Sequence, residues 1–366
     1  MNNILLTRFP LPYNNIGSWT KRFTKLLQRK PFLFDYVICP EPSKKINNIN
    51  YDFISETLLL KKFQKLFLGY RYLPYMQKIL SHKSNINNIY IIDDYNMLFE
   101  LNEYLKKKKC RDKYNIFFFI HGFSYFFGNY NRKKFYNSLD YIIFLTRGSY
   151  EFELSKVHKM SAEASIIHNG IDSSIFFKLT NKDKTYMRKK YNLEVEKNIF
   201  LWAANERPKK GLKIIEKAWL NSNLYKNKNY ELLIVGTNEV KKIDNIKYIG
   251  RVDTIKMSQL YQISDYYLFS TLCHEGFPLS LIEAIKCGLT CFSSDINPIN
   301  EIVLNGKLSY LIEIPQDYSK WVHIFNEVNN NKIEKKDFEK SFLDNLYCYD
   351  DWEMKISDLI SNAIKK

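Results

Sequence analysis

The sequence YYLFSTLCHEGFPLSLIEAIKCG, residues 266–288, predicts a strand, a turn and a helix in succession. Residues 266–270 are a short aromatic and aliphatic run that is typical of a buried strand. Gly276 and Pro278 mark the turn, and residues 279–287 have helical composition, with a proline in the first turn and a glycine directly after the end. A strand that leads into a helix in this way is the unit from which parallel sheets are built.

Two carboxylates bracket this turn. Glu275 lies in the loop, and Glu283 lies in the helix, nearly opposite a narrow apolar stripe of Leu281, Ala284, Ile285 and Gly288. The free N–H groups around residues 276–281 carry partial positive charge and suit a diphosphate, while a carboxylate one turn deeper can accept from ribose hydroxyls. The pattern therefore favours a nucleotide sugar. The alternative is that Glu275 complements the helix dipole and Glu283 lies on a solvated face.

Length and composition indicate a globular protein of about two domains. The chain has 366 residues, of which 45% are hydrophobic, and a single core rarely serves so long a chain. No apolar stretch approaches the ~20 residues that span a bilayer, so we expect a cytoplasmic protein or one bound peripherally to the cytoplasmic face of the membrane. The six cysteines form no Cys-x-x-Cys pair, and we expect them to be reduced.

The chain is strongly basic. It has 55 Lys and Arg against 39 Asp and Glu, a formal net charge of +16. Such an excess favours an anionic partner, which could be a nucleotide, a nucleic acid, an acidic glycan or an anionic lipid surface. The chain is also rich in Asn, Lys, Ile and Tyr, as a genome biased toward A and T would encode, and this alternative would explain part of the excess lysine.

Short apolar runs alternate with helix-like segments along the whole chain. In the first half the runs are residues 3–6, 36–39, 89–92, 116–120, 141–145 and 164–167, and in the second half they are 199–202, 231–235, 247–249, 267–270, 289–293 and 309–312. Strands that alternate with helices predict parallel sheets covered on both faces. Two such sets predict an α/β protein with two doubly wound domains, separated within the polar stretch 172–184.

Ligands of open parallel sheets bind beyond the carboxyl ends of the strands. Several polar, charged or glycine residues end predicted strands or lie in the segments that follow them: Gly17, Asp93, Asp94, His121, Asn205, Arg207, Lys210 and Gly236. The segment after Gly17, residues 18–28, predicts a basic amphipathic helix. Its apolar face consists of Trp19, Phe23, Leu26 and Leu27, and its basic residues elsewhere are Lys21, Arg22, Lys25 and the following Arg29.

With these residues in this order, the chain resembles the retaining glycosyltransferases of family 4, which have the GT-B fold. The spacing of Glu275 and Glu283 is the E-x7-E motif of that family. Further similarities lie in His168 to Asp172, Arg207 with Lys210 and Gly211, residues 233–236, residues 248–250 and residues 349–353. The loop after the first strand departs from the family, because it has Gly17 alone where members often have two glycines. A single glycine leaves less room for a phosphate or an acceptor near the backbone.

The resemblance implies two Rossmann-like domains that face each other across a cleft. Residues 1–176 would bind the acceptor, residues 177–348 would bind the nucleotide sugar, and residues 349–366 would form a helix that packs back on the first domain. The implied reaction transfers a sugar from a UDP- or GDP-sugar to a hydroxyl of a glycan or glycolipid with retained anomeric configuration. Synthesis of surface polysaccharide, lipopolysaccharide or another glycoconjugate would use it. The base, the sugar, the acceptor and the oligomeric state stay open.

Catalytic roles are expected for Glu275, His121, Arg207 and Lys210. The two cations would neutralise the departing diphosphate, although surface solvation is the alternative for both. Glu275 would orient the sugar, and His121 would bind the sugar or assist proton transfer from the acceptor, with His274 as a weaker candidate. The donor-binding residues would be Glu283, which we assign to the ribose, and Gly276, Phe277, Pro278, Leu279, Ser280, Leu281, Gly17, Asn205 and Gly236.

Cofactors and partners follow from the same reasoning. No Asp-x-Asp motif occurs, so we expect no metal site and no obligatory cofactor besides the nucleotide diphosphate sugar as co-substrate. The basic helix and the aromatic, basic segment 61–80 are candidates for contact with an anionic membrane or glycan, and ordinary core helices are the alternative. Two rival functions remain open: another GT-B enzyme, such as a nucleotide-sugar epimerase or sugar phosphorylase, or a non-enzymatic nucleic-acid-binding protein. The chain lacks a recognisable nucleic-acid module, and we expect no nucleic-acid partner.

Overall fold

A computed structural model describes residues 1–13, 18–54, 71–82, 84, 86–92, 94–125, 128–157, 159–238 and 241–363 of the chain. The chain forms two compact units. Unit 1 consists of Met1–His168 and Asp350–Lys366, and unit 2 consists of Asn169–Tyr349. The division after His168 falls shortly before the predicted boundary at 176–177, which stays a prediction. Gly17, Asp93 and the first half of segment 61–80, residues 61–70, lie outside the described residues.

Unit 1 is built on a sheet of seven parallel strands. These strands are β1 (Asn2–Leu6), β2 (Tyr36–Pro40), β3 (Tyr51–Ile54), β4 (Asn87–Ile92), β5 (Tyr114–Phe119), β6 (Tyr141–Phe144) and β7 (Glu163–Ile166). Their order in the sheet is β3-β2-β1-β4-β5-β6-β7. The helices described between them are α1 (Ser18–Arg29), α2 (Leu73–Ser81), α3 (Tyr95–Lys107), α4 (Asn129–Tyr136) and α5 (Arg147–Val157). Every residue of β4 is buried, as expected for a strand covered on both faces.

Unit 2 is built on a sheet of six parallel strands. They are β8 (Asn198–Ala203), β9 (Tyr230–Val235), β10 (Ile246–Gly250), β11 (Tyr266–Phe269), β12 (Thr290–Ser294) and β13 (Ser309–Ile312), in the order β10-β9-β8-β11-β12-β13. The helices are α6 (Asn181–Lys190), α7 (Leu212–Leu220), α8 (Asn223–Lys226), α9 (Thr254–Ile263), α10 (Leu279–Lys286), α11 (Ile299–Ile302), α12 (Tyr318–Asn329) and α13 (Lys340–Asn345). Trp202, Trp219 and Trp321 are fully buried in this unit.

The last helix, α14 (Tyr349–Ala363), packs on unit 1. Its Trp352 ring meets the Phe23 ring of α1 edge to face, with 5.6 Å between the ring centroids. Arg29 at the end of α1 forms ion pairs with Asp350 at 2.6 Å and with Glu353 at 3.3 Å. An apolar contact and two charge contacts therefore connect this C-terminal segment to the first helix of the chain.

The amphipathic prediction for α1 is confirmed on its apolar side and wrong for Arg22. Trp19, Phe23, Leu26 and Leu27 are all buried, as predicted. Arg22 is also buried, with only 7% of its surface exposed. It lies three residues after Trp19 and four before Leu26, so the helical repeat puts it on the same face as the apolar stripe. One of the basic residues predicted to lie away from the apolar face is therefore buried on that face.

Each of the twelve predicted runs corresponds to a strand, and among the residues that the structure describes one further strand, β3, has no predicted run. It lies at the edge of its sheet, and most of its residues are partly exposed. Its Asp52 forms an ion pair with Lys78 at 2.5 Å and lies 3.0 Å from His82. A short edge strand with a charged residue lacks the continuous apolar run by which the other strands are recognised.

Two further sequence expectations concern membranes. Within the described residues, no helix combines the length and the apolar character needed to cross a bilayer. The described end of segment 61–80 belongs to α2, whose Tyr75, Met76 and Ile79 are buried in the core of unit 1. This part of the segment therefore follows the core-helix alternative. Peripheral attachment to a membrane stays a prediction.

The strand orders define one crevice in each unit. The chain adds strands on one side of β1, then crosses to β4 on its other side, and in unit 2 it likewise crosses from the β10 side to β11 beside β8. At such a reversal the connections after the two central strands diverge to opposite faces, which opens a crevice at the carboxyl edge. Candidate ligand sites therefore lie between β1 and β4 and between β8 and β11.

At the opposite edge of unit 2, Asp265 forms a structural charge cluster. It lies 2.8 Å from Lys184 and 2.5 Å from Arg188 and accepts from the Ile199 backbone N–H at 2.8 Å. Burial by itself would raise the pKa of Asp265, but the two cations and the hydrogen bonds outweigh it and bring the pKa below its ordinary value of 3.8. The carboxylate therefore stays charged and joins α6 to the start of β8.

Asp265→Asn should lower the free energy of unfolding by about 3 kcal/mol at neutral pH, because it leaves two partly buried cations without their carboxylate. Since the folded-state pKa is the lower one, the contribution is complete above the unfolded-state pKa and is lost as the pH falls through the folded-state value. Urea unfolding of both proteins between about pH 7 and about pH 3 measures it. Asn at the exposed Asp244 is the control. A wild-type advantage that grows toward acid pH would contradict the assignment.

Candidate active site

The segment after β8 is held against the end of β11 by backbone contacts. Residues 208–210 form one turn of 3₁₀-helix, with Arg207 at its start. The Leu272 N–H donates to the Lys209 carbonyl at 2.7 Å, and the Ser270 hydroxyl donates to the Lys210 carbonyl at 2.9 Å. These bonds fix the turn at the crevice between the two central strands.

Gly211 makes this close approach sterically feasible. Its φ is +77°, and a Cβ atom at this position would lie 2.1 Å from the Ser270 carbonyl oxygen. The Ser270 hydroxyl also accepts from the indole N–H of Trp202 at 2.9 Å. A buried side chain of β8 and a glycine in the left-handed region therefore set the position of the following loop.

Lys210 and Glu275 form an ion pair in this crevice. The Lys210 Nζ lies 2.5 Å from the Glu275 Oε1, and the Thr271 hydroxyl donates to the same oxygen at 2.7 Å. The two charged side chains are 20% and 18% exposed. Beside them is a cavity of about 200 Å³ whose lining includes Asn205 and Ser280. The structure thus brings together one predicted cation and one predicted carboxylate, and they neutralise each other.

Arg207 does not take part in this cluster. It is exposed, and its side chain makes no hydrogen bond or ion pair with a residue that the structure describes. Its backbone is extended, with φ −65° and ψ 131°, because it starts the 3₁₀ turn that carries Lys210 inward. The prediction that both cations contact one diphosphate therefore stays a prediction for Lys210 and for Arg207.

The predicted helix after Glu275 is confirmed as α10. It begins after Pro278 and buries Leu281, Ala284 and Ile285. At its end the N–H groups of Gly288 and Leu289 donate to the carbonyls of Ile285 and Ala284, and Gly288 has φ +84°. This double hydrogen bond is the Schellman arrangement, which requires a residue that accepts positive φ.

Fewer backbone donors are available at the start of α10 than the sequence suggested. Pro278 has no N–H, and the N–H groups of Leu279 and Leu281 donate to the carbonyls of Phe277 and Pro278 at 2.9 and 3.1 Å. The described residues provide no acceptor for the N–H groups of Gly276 and Ser280. The expected donors of residues 276–281 therefore reduce to a few, because the first turn closes on itself.

Glu283 is only partly exposed. Burial raises the pKa of the neighbouring Tyr261, and interactions with Tyr267 and with the Glu283 carboxylate raise it further. Burial likewise raises the pKa of Cys287, with Glu283 as the next cause. The Glu283 carboxylate is thus close to buried groups of α9 and β11, and it does not lie on a fully solvated face.

Three further residues of unit 2 were candidates for the site: Asn205, Gly236 and His274. Asn205 is exposed just after β8. Gly236 has φ +97°, and a Cβ there would lie 2.3 Å from the Ala204 carbonyl oxygen, so it brings the end of β9 against that of β8. His274 is occupied elsewhere, because its Nδ1 donates to the Asn297 carbonyl at 2.6 Å.

His121 follows β5 in unit 1. Its ring stacks on Trp19, with 6.0 Å between centroids and 6° between planes. Both ring nitrogens are buried and have no hydrogen-bond partner among the residues that the structure describes. Burial lowers the pKa of His121 well below its ordinary value of 6.5, and the positive charge of Arg22 lowers it further. The imidazole is therefore neutral at physiological pH.

Sequence reasoning missed Ser270, Thr271 and Trp202. The two hydroxyl residues follow β11 directly, so their position at a strand end was a usable signal. The role of Trp202 carried no such signal, since an indole inside a strand predicts only burial. Among the described residues, no group of three or more His, Cys, Asp and Glu side chains is arranged to hold a metal ion.

Part of unit 2, including the residues of this site, is similar to a known protein family. Residues 183–341 match the family Glycosyl transferases group 1. N-acetyl-alpha-D-glucosaminyl L-malate synthase of Bacillus anthracis is 25% identical over 173 residues, 44% of this chain and 43% of that protein. Phosphatidyl-myo-inositol mannosyltransferase of Mycobacterium tuberculosis is 21% identical over 167 residues, 43% of this chain and 42% of that protein. The chain thus matches less than half the length of these two relatives.

Solved structures resemble nearly the whole chain. Anabaena HepE in complex with UDP has a TM-score of 0.73 at 14% identity and covers 99% of this chain and 100% of its own. Sucrose-phosphate synthase of Thermosynechococcus elongatus has a TM-score of 0.76 at 12% identity, with 99% of each chain covered. The fold prediction is confirmed: the chain has two parallel-sheet, Rossmann-like α/β domains, and its structural neighbours are GT-B glycosyltransferases.

The variants Gly211→Ala and Gly250→Ala distinguish the cost of a steric collision from the cost of backbone strain alone. Both glycines have positive φ, at +77° and +78°, but only the Cβ at Gly211 would collide, since the nearest atom to that at Gly250 is 4.0 Å away. Gly250→Ala should cost about 1 kcal/mol and Gly211→Ala at least about 3 kcal/mol of unfolding free energy. Urea unfolding measures both losses. Equal losses would show that the contact with Ser270 does not constrain the loop.

Proposed function

We propose that this chain transfers a sugar from a nucleotide diphosphate sugar to a hydroxyl of a glycan or glycolipid acceptor. The observation that carries the proposal is the Lys210–Glu275 ion pair in the crevice between β8 and β11. The match to the group 1 glycosyl transferases and the fold shared with UDP-bound HepE support it. The proposal includes retention of anomeric configuration, as in family 4, and a UDP- or GDP-linked donor.

Lys210 would bind the diphosphate by exchanging one anion for another. In the structure its ammonium contacts the Glu275 carboxylate, which carries a single negative charge. A diphosphate offers more charge and several oxygens to the same ammonium, so it would compete successfully. Arg207, exposed beside the same turn, would add a second cation from the solvent side. Donor binding would thus release Glu275 from its ion pair.

The released Glu275 would then serve the sugar. The Thr271 hydroxyl already donates to its Oε1 and would keep the carboxylate in place. A fixed carboxylate can accept from sugar hydroxyls and stabilise the positive charge that develops at the anomeric carbon as the diphosphate departs. The N–H groups of Gly276 and Ser280 would donate to phosphate or sugar oxygens, and Glu283 would accept from the ribose.

His121 would orient a hydroxyl rather than take its proton. The neutral ring has one nitrogen that accepts and one that donates. Its depressed pKa makes it a poor base, and a hydrogen bond to a sugar or acceptor hydroxyl does not require a full proton transfer. In the overall reaction the bond from the anomeric carbon to the phosphate oxygen breaks and the bond to the acceptor oxygen forms. The electron pair leaves with the nucleoside diphosphate, whose released phosphate oxygen takes the proton that the acceptor hydroxyl loses.

Lys210→Gln should weaken UDP binding at least about tenfold, because it removes the cation that would meet the diphosphate. Lys209→Gln is the matched control, since Lys209 is exposed and holds the loop through its backbone carbonyl. Titration calorimetry with UDP measures both affinities. Equal affinities of the two variants would put the diphosphate elsewhere.

Turnover of the wild type and of a Glu275→Gln variant tests the proposed reaction. With UDP- and GDP-sugars as donors, the wild type should release free nucleotide only when a hydroxyl acceptor is supplied, and Glu275→Gln should abolish this release while still binding UDP. Nucleotide release without an acceptor, or conversion of the donor into another nucleotide sugar, would favour the rival enzyme classes. Strong affinity for RNA at physiological salt with none for nucleotides would reject the transferase assignment.

A further inference from the structure

The crevice of unit 1 repeats the charge arrangement of unit 2. Arg8 follows β1, the first strand of its unit, and Asp94 follows β4, the fourth. The Arg8 Nε lies 3.7 Å from the Asp94 Oδ2, and the side chains are 38% and 5% exposed. In unit 2, Lys210 and Glu275 likewise follow the first and fourth strands. Each crevice therefore has a cation from one central strand and a carboxylate from the other.

Asp94 is the fixed member of the unit 1 pair. Its Oδ1 accepts from the Met97 N–H at 3.1 Å, which caps α3. The Tyr72 hydroxyl lies 3.1 and 3.2 Å from its two oxygens. Burial raises the pKa of Tyr72, and the Asp94 charge raises it further, so the phenol keeps its proton and donates. These contacts satisfy the carboxylate without Arg8.

Arg8, in contrast, has unused hydrogen-bonding capacity. At 3.7 Å its contact with Asp94 is an ion pair and is too long for a hydrogen bond. Its guanidinium lies over the Phe9 ring, 5.1 Å from the centroid, and makes no hydrogen bond to a residue that the structure describes. A guanidinium has five N–H donors in a planar fork that matches carboxylate and phosphate oxygens. The Phe9 ring and Asp94 hold this fork at the mouth of the crevice.

An aromatic row leads from Arg8 to His121. The Phe9 and Trp19 rings meet edge to face with centroids 5.8 Å apart, and Trp19 stacks on the His121 ring. The row ends at two buried imidazole nitrogens that lack a partner among the described residues. The crevice therefore combines an arginine fork, an aromatic wall and a neutral hydrogen-bonding ring. Such a set can bind a molecule that carries both a negative charge and hydroxyl groups.

We propose that the crevice between β1 and β4 binds the acceptor through an anionic group, a phosphate or a carboxylate, which Arg8 holds in its guanidinium fork. The hydroxyl-bearing part of the acceptor lies along Phe9 and Trp19 toward His121. The identification of this ligand as the acceptor rests on the proposed function. The specificity for an anion rests on Arg8 and its surroundings. Neutral sugars bind less tightly because they leave the N–H donors of the Arg8 guanidinium unpaired.

The experiment compares charged and neutral sugars on the full chain saturated with UDP, which fills the donor site. The probes are methyl glucoside, glucuronate, glucose 6-phosphate and inorganic phosphate, and titration calorimetry measures their affinities. The wild type should bind glucuronate or glucose 6-phosphate at least about tenfold more tightly than methyl glucoside. Arg8→Gln should lose this preference, and Arg8→Lys, which keeps the charge but not the fork, should retain only part of it. Arg147→Gln, at an exposed arginine of the same unit, should bind like the wild type.

The outcomes distinguish this proposal from the transferase assignment. An Arg8→Gln protein that folds, as judged by an unchanged thermal midpoint, and still prefers charged sugars overturns the anion site. An Arg8→Lys protein with the full wild-type preference overturns the role of the fork. Failure of the wild type to bind UDP rejects the proposed function alone, since the charge preference can be measured without UDP. Vesicles of phosphatidylglycerol, tested beside glycerol 1-phosphate, show whether a phosphate is recognised on a lipid or free in solution.

Discussion

The approach of the segment after β8 to the end of β11 is the constraint on which unit 2 depends. A side chain at Gly211 would collide with the Ser270 carbonyl, and without this approach Lys210 would not reach Glu275. Because β8 and β11 flank the reversal of strand order, the ion pair lies in the crevice that such sheets use for ligands. The two desolvated charges compensate each other in this crevice. A phosphate that enters the crevice can therefore replace the carboxylate beside the ammonium group.

The two units use one topological principle for two chemistries. In both, a cation after the first strand meets a carboxylate after the fourth, but the surroundings differ. Lys210 has a mobile ammonium that lies beside a cavity of about 200 Å³ and suits several phosphate oxygens. The planar guanidinium of Arg8 lies at the end of a row of aromatic side chains. This arrangement suits a single anionic group that is joined to a ring. If both proposals hold, the common strand order fixes where ligands bind, and the local side chains decide which ligands are bound.

The sequence predicted regular structure well because buried parallel strands are continuous apolar runs, and twelve of them were recognised. It missed β3, whose edge position and Asp52 remove that signal. Near the site, motif spacing indicated Glu275, Glu283 and Lys210. It could not predict that Lys210 and Glu275 pair, that the amides of Leu279 and Leu281 are already bonded, or that Arg22 is buried. These outcomes depend on contacts between segments that are distant in sequence, or on how a turn closes. The spacing of residues along the chain does not encode such contacts or such a closure.

A crystal structure of the chain with UDP tests the central claim most directly. We expect the Lys210 Nζ to leave the Glu275 Oε1, now 2.5 Å away, and to contact a diphosphate oxygen in the crevice between β8 and β11. Glu275 should keep its hydrogen bond from Thr271. A UDP molecule bound elsewhere, or bound in this crevice with the Lys210–Glu275 ion pair intact, would contradict the account.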